Sequence, residues 1–207
     1  MRKNLAVFSL MFLGVIGFKS AKLVYVPDGS IMSEPTPIEQ FMARIASIET
    51  PGGGYQTVNK YGMMGRYQFS PEAIKAVGIK VTRQQFLRNK ELQDTAMVRL
   101  MELNEQELSG YIERYDGRIV KGVKVTRASI LAGAHFAGAG GVKQFLTNDN
   151  HTGTVDGFGT SLRKYMSYFS NFHLPPVVFK LLVETVDKLY SFVTEIRDGN
   201  TTEEEEQ

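Results

Sequence analysis

A helix that runs straight into three consecutive glycines constrains this chain more than any other feature. The stretch Ile45 to Pro71, IASIETPGGGYQTVNKYGMMGRYQFSP, ends one helical pattern at Glu49, passes Gly52-Gly53-Gly54 and reaches the next helix start at Pro71. Glycine admits left-handed backbone and close approach by other groups, so the stretch reads as a tightly turned loop beside a fixed helix end. The start of that helix is equally marked, with Thr36 as N-cap, Pro37 in the first position and Glu39 completing a capping-box pattern. Ile38, Phe41, Met42, Ile45 and Ile48 follow at helical spacing and define its core-facing side. Glu49 comes four residues after Ile45 and seven after Met42, which puts its carboxyl at the margin of that side. A carboxyl partly out of water holds a proton more readily, as an acid acting on a glycosidic oxygen must. The same position also suits a solvated helix end.

The remaining elements follow from local signals. Ser70 and Pro71 start a short helix that Gly78 stops, with Ala73, Ile74 and Val77 turned inward. Thr82 and Gln85 form a second capping box, and Asn89 begins a longer helix with Leu92, Ala96, Leu100 and Leu103 on one stripe and Leu108, Tyr111, Ile112 and Tyr115 on another. Ile119 to Val125 reads as an extended pair turning near Gly122. Thr126 caps a small-residue helix, Ser129 to Ala137, and Gly138 to Gly141 reads as flexible backbone before Val142. Asn148 to Gly159 is a polar surface loop.

The two ends have a different character. Arg2 and Lys3 precede an apolar run, Leu5 to Phe18, and then Lys19-Ser20-Ala21, the layout of a signal peptide or an N-terminal anchor over residues 1–21. This predicts an exported protein of the periplasm or cell envelope, with membrane contact through residues 5–18. Residues 22–35 read as a linker, and Pro175 to Arg197 as an amphipathic helix suited to a protein partner or self-association. Residues 198–207 form an acidic tail.

Charge and composition exclude several classes. The chain has 24 basic and 22 acidic side chains, and loss of Arg2, Lys3 and Lys19 with the leader would leave 21 basic ones, so no field favours nucleic acid. There is no cysteine, and His135, His151 and His173 form no H-E-x-x-H pattern, so no metal site is expected. No Walker-type loop or G-x-G-x-x-G fingerprint implies a cofactor.

Gly65-Arg66-Tyr67-Gln68-Phe69-Ser70-Pro71, sixteen residues after Glu49, resembles the Gly-Leu-Met-Gln segment of lysozyme-like lytic transglycosylases, in which a glutamate at a helix end precedes that segment by a similar distance. Thr50 stands where that family has serine. Ala132-Gly133-Ala134-His135-Phe136-Ala137-Gly138 is similar to the family's Ala-Tyr-Asn-Ala-Gly segment, with His135 in place of tyrosine and Phe136 in place of asparagine. Tyr165, in Leu162-Arg163-Lys164-Tyr165, matches the family tyrosine near the acid. The matches span residues 36 to 170. They imply a mainly α, lysozyme-like α+β fold: a single helical domain over residues 36–172 with a glycine-rich cleft loop and a short β-hairpin.

The resemblance also implies an activity. Glu49 would protonate the glycosidic oxygen between N-acetylmuramic acid and N-acetylglucosamine in peptidoglycan, then take the proton of the muramyl 6-hydroxyl as a 1,6-anhydro ring closes. The substrate N-acetyl group replaces the second carboxylate that most glycosidases use. Gln68 and the backbone from Gly65 to Phe69, Tyr67 included, would hold the glycan, and Tyr165 would orient Glu49. Tyr55 and Tyr61 suit either sugar stacking or a small loop core. His135 suits either a core position or, with Phe136, the substrate cleft. Glu72 sits in a helix first turn that explains it, while Asp149 and Asp156 fall in the polar loop. Two other readings stay open: a hydrolytic muramidase, and a non-catalytic peptidoglycan-binding component of a virion or of a secretion or conjugation machine.

Overall fold

The computed structural model describes residues 23–25, 31–33, 35–148, 155 and 160–175. The leader, nearly all of the polar loop with Asp149 and Asp156, the amphipathic segment after Pro175 and the acidic tail lie outside the described residues. The chain divides into two units, Pro37–Val177 and a second made of Met1–Thr36 with Val178–Gln207. In the second unit the stretch read as a plain linker contains an antiparallel pair, β1 (Leu23–Tyr25) and β2 (Ile31–Ser33), with Val24 opposite Met32.

The larger unit is mainly helical. Its elements are α1 (Pro37–Glu49), α2 (Pro71–Ala76), α3 (Arg83–Arg88), α4 (Lys90–Tyr115), β3 (Ile119–Val120), β4 (Val123–Lys124), α5 (Arg127–Thr147) and α6 (Leu162–Ser167). Local capping sets most boundaries. Ser70 accepts from the Ala73 amide, Asn89 from Leu92, and Ser161 from Lys164, while Thr82 with Gln85 and Thr126 with Ser129 each form a reciprocal capping box. Each such cap satisfies amides that the first helical turn cannot bond internally, and contributes about 1 kcal/mol.

Strands β3 and β4 pair with Val120 opposite Val123, joined by Lys121 and Gly122 at φ 51° and 77°. Positive φ at both central residues is the hairpin turn whose twist matches the strands. Lys121 then reaches the end of α5, donating to the carbonyls of Phe145 (2.6 Å) and Asn148 (2.7 Å). Val123 and Val125 join Leu108, Ile130, Val142, Phe145, Leu162 and Met166 in one buried cluster, which ties the hairpin to α4, α5 and α6.

Two expectations change here. Leu92, Ala96 and Leu108 of α4 are buried as expected, but Leu103 is 41% exposed, and Gln93, Met97, Met101 and Asn104 complete the buried face. The segment Gly138 to Gly141, expected to be flexible backbone, is helical on both sides of a single break at Gly138, with φ 72° and ψ 163°.

The aromatic core beside α1 positions the site. Phe41 meets the rings of Phe169 and Phe172 edge-on at 5.3 and 5.7 Å, and Phe169 lies against Tyr165 at 5.8 Å. Each fully buried ring of this kind stabilises by about 2 kcal/mol. Gly133 of α5 brings α6 close: a Cβ there would fall 2.9 Å from Met166 Cγ and 3.1 Å from Leu162 Cδ1. Arg127, at the start of α5, donates to Glu105 at 2.8 and 3.0 Å and to the carbonyls of Leu174 and Pro175.

Candidate active site around Glu49

Glu49 is the last residue of α1, and its side chain is 21% exposed. The Tyr165 hydroxyl, from α6, donates to Glu49 Oε1 at 2.7 Å across 116 residues of sequence. The Tyr165 ring is 1% exposed and stacked on Phe136 at 4.7 Å, so its hydroxyl has a fixed direction. Burial first, and the neighbouring Glu49 charge second, push the Tyr165 phenol well above its ordinary value, so it stays a donor.

His135 of α5 approaches from another side. Its Nε2 lies 3.0 Å from the Tyr67 carbonyl and 3.9 Å from Glu49 Oε1, and its buried Nδ1 has no hydrogen-bond partner. The side chain is 7% exposed. Burial pulls the imidazole below its ordinary 6.5, outweighing the opposite effects of Glu49 and the Tyr67 carbonyl. The neutral ring with its proton on Nε2 satisfies that carbonyl as a donor.

A lowered histidine makes stability depend on pH in a defined direction. Above about pH 6.5 the ring is neutral in both folded and unfolded chains. Below it the unfolded chain takes up a proton that the folded protein refuses, so stability falls with pH until the lowered folded value is reached. Urea midpoints of the wild-type protein are therefore expected to drop between pH 7.5 and 5.5, and His135→Gln to flatten that drop. Asp94, raised by burial, acts in the opposite sense, above its ordinary 3.8. An unchanged slope in His135→Gln would remove the imidazole as its source.

The glycine-rich loop is closed on the same region. Thr50 shares its hydroxyl proton between the carbonyls of Ala46 at 3.1 Å and Arg66 at 3.0 Å, which staples the end of α1 to the Gly65–Gln68 turn. Met64 and Phe69 exchange backbone bonds of 2.8 Å around that turn. Gly65, at φ 77°, faces Gln93 of α4, whose Oε1 accepts from the Arg66 amide at 2.9 Å. Gln93 Nε2 donates to the carbonyls of Tyr55 (2.8 Å) and Phe86 (2.9 Å), so this fully buried amide is satisfied at both ends. Gln68 sits at φ 53°, unusual for a side-chain-bearing residue, and its Nε2 turns back to the Gly65 carbonyl at 2.9 Å.

The sequence-derived residues thus separate. Glu49, His135, Phe136 and Tyr165 converge directly, and Tyr67 joins them through its carbonyl. The ring of Tyr67 is no sugar platform, however: it is 1% exposed and its hydroxyl donates to Asp94 at 2.7 Å. Tyr55 is also engaged, donating to Asp94 at 2.9 Å and accepting from Arg66 at 2.6 Å. Burial raises the phenols of Tyr55 and Tyr67, keeping both protonated toward Asp94. Tyr61, 50% exposed, lies on the turn closed by Asn59. Gln68 braces its own turn with its amide nitrogen. Glu72 is exposed in the first turn of α2.

Gln93 and Asp94 escaped sequence reasoning. Their signal was a polar residue at a position in phase with Met97, Met101 and Leu108. Among the described residues no three acidic or histidine side chains group as metal ligands, and no helix is long and apolar enough to cross a membrane. Comparison of the chain with protein-family models, curated proteins and solved structures finds no match. The arrangement itself is a partly exposed carboxyl whose Oε1 is held by a buried phenol. Such a group can give a proton to a bound oxygen and take one back.

Proposed function

We propose that the protein is a peptidoglycan lytic transglycosylase of lysozyme-like fold that uses Glu49 as its single acid and base. The observation that carries this reading is the Tyr165–Glu49 bond of 2.7 Å, which joins the two residues that the resemblance assigns to acid and orienting group. The closure of the Gly65–Gln68 turn onto α1 through Thr50 supports it, because the turn then borders the carboxyl. In the first step the Glu49 proton passes to the glycosidic oxygen as the bond to muramyl C1 breaks, and the substrate N-acetyl oxygen bonds to C1. In the second, the Glu49 carboxylate removes the proton of the muramyl 6-hydroxyl while that oxygen displaces the N-acetyl oxygen. The product is a 1,6-anhydro end, and Glu49 regains its proton. An exported envelope location accords with this substrate.

The test is digestion of purified peptidoglycan by the full chain, followed by mass spectrometry of the released muropeptides. Fragments one water lighter than reducing muropeptides are expected; reducing ends would make the protein a hydrolase, and binding without release would make it a wall-binding component. Tyr165→Phe keeps the buried ring and removes only the donor to Oε1. Its release rate is expected to fall about tenfold, or roughly 1.4 kcal/mol of barrier, with KM little changed. A rate equal to wild type would leave Tyr165 as packing alone.

A further inference from the structure

Away from Glu49, the glycine-rich loop borders a second feature, an open groove of about 340 Å³ lined by Gln56, Arg83, Gln84, Leu87 and Arg88. Its polar lining consists of two guanidiniums and two amides, with no carboxylate. The two walls are held by one buried group. Gln93 bonds the carbonyls of Tyr55, next to Gln56, and of Phe86, whose ring anchors α3 against Phe69 at 5.8 Å. Among the described residues neither Arg83 nor Arg88 forms an ion pair. The positive charge continues along the loop, with the Lys90 ammonium 5.8 Å and the Arg66 guanidinium 5.2 Å from the Tyr55 ring. Glu91 is the exposed carboxylate on this side, while Asp94 is occupied by the hydroxyls of Tyr55 and Tyr67.

We propose that this groove takes the free carboxylates of the peptide stems that peptidoglycan carries, so that the protein prefers peptide-bearing strands to bare glycan. The inference rests on the reading of Glu49 as the acid of a peptidoglycan-cleaving site. Site and groove share one framework: Thr50, beside Glu49, holds the Arg66 carbonyl, and the Arg66 guanidinium holds Tyr55, beside Gln56. Guanidinium planes match carboxylates with paired hydrogen bonds. The Gln56 and Gln84 amides suit a peptide backbone, and Leu87 supplies an apolar wall for an alanyl methyl. Exposed ion pairs are individually weak, so Arg83 and Arg88 together are expected to give about a fivefold preference at low salt.

The experiment offers glycan strands of one length, with peptide stems or stripped of them by an amidase, to the full chain and to Arg83→Gln/Arg88→Gln. The wild-type protein is expected to cleave stem-bearing strands about fivefold faster than stripped ones. The double variant should cleave both at the wild-type rate for stripped strands. Equal wild-type rates on both substrates would overturn the groove and leave Glu49 as the acid. If neither strand is cleaved, the reading of Glu49 fails instead. The groove is then decided by titrating the soluble tetrapeptide alanyl-glutamyl-lysyl-alanine: saturable binding lost in the double variant supports it. No binding, or equal displacement by inorganic phosphate, overturns the carboxylate assignment.

Discussion

Glu49→Gln is expected to release no anhydro-muropeptides from peptidoglycan while unfolding at the wild-type temperature and still sedimenting with the wall. The glutamine side-chain oxygen can accept the Tyr165 hydroxyl as Glu49 Oε1 does, so the 2.7 Å contact and the packing behind it survive. What disappears is the transferable proton. General acid–base help of this kind supplies on the order of a hundred- to ten-thousandfold in rate, and here one group performs both transfers, so the upper end of that range applies. Muropeptide mass spectrometry and a thermal melt on the same preparation separate lost chemistry from lost fold. A variant that releases fragments within a few fold of wild type would falsify the role of Glu49.

Gly65→Ala is expected to lower stability by roughly 3 kcal/mol, a large part of the margin of an ordinary domain. Left-handed backbone costs about 1–2 kcal/mol for a residue with a Cβ. At Gly65 that Cβ would also fall 2.1 Å from Gln93 Oε1 and 2.6 Å from its Cδ. Gln93 can retreat only by giving up its bonds to the Arg66 amide and to the Tyr55 and Phe86 carbonyls, each a net contribution of about 1 kcal/mol. Gly62→Ala is the control, because Gly62 has φ 83° with nothing within 4 Å of an added Cβ. Urea midpoints for the two variants should differ by the part due to Gln93. Equal midpoints would mean that Gln93 does not hold the turn.

Local chemistry made much of the helical frame legible in the sequence. The Thr82–Gln85 capping box, Thr126 as an N-cap, Ser70 before Pro71 and the turn near Gly122 are each settled by neighbours within a few residues. The inward face of α4 was legible only in part: Leu92, Ala96 and Leu108 lie on it, but two of its buried positions, Gln93 and Asn104, are polar and their phase was lost among the leucines. Only the tertiary contacts of Gln93, with carbonyls 38 and 7 residues away, make burying an amide tolerable. At the site, Glu49 and Tyr165 were legible as types, while Asp94 was not: its partners Tyr55 and Tyr67 lie 39 and 27 residues before it. Tyrosines in a glycine-rich loop look alike whether they face a sugar or a buried carboxylate, and the sequence carries no distance to tell them apart.

The clamp formed by Arg127 has a mechanical consequence. Chain that continues past Pro175 leaves from a point bonded to Arg127, which Glu105 in turn holds from α4. That end is therefore tied to α4 and to the head of α5 as well as, along the chain, to α6.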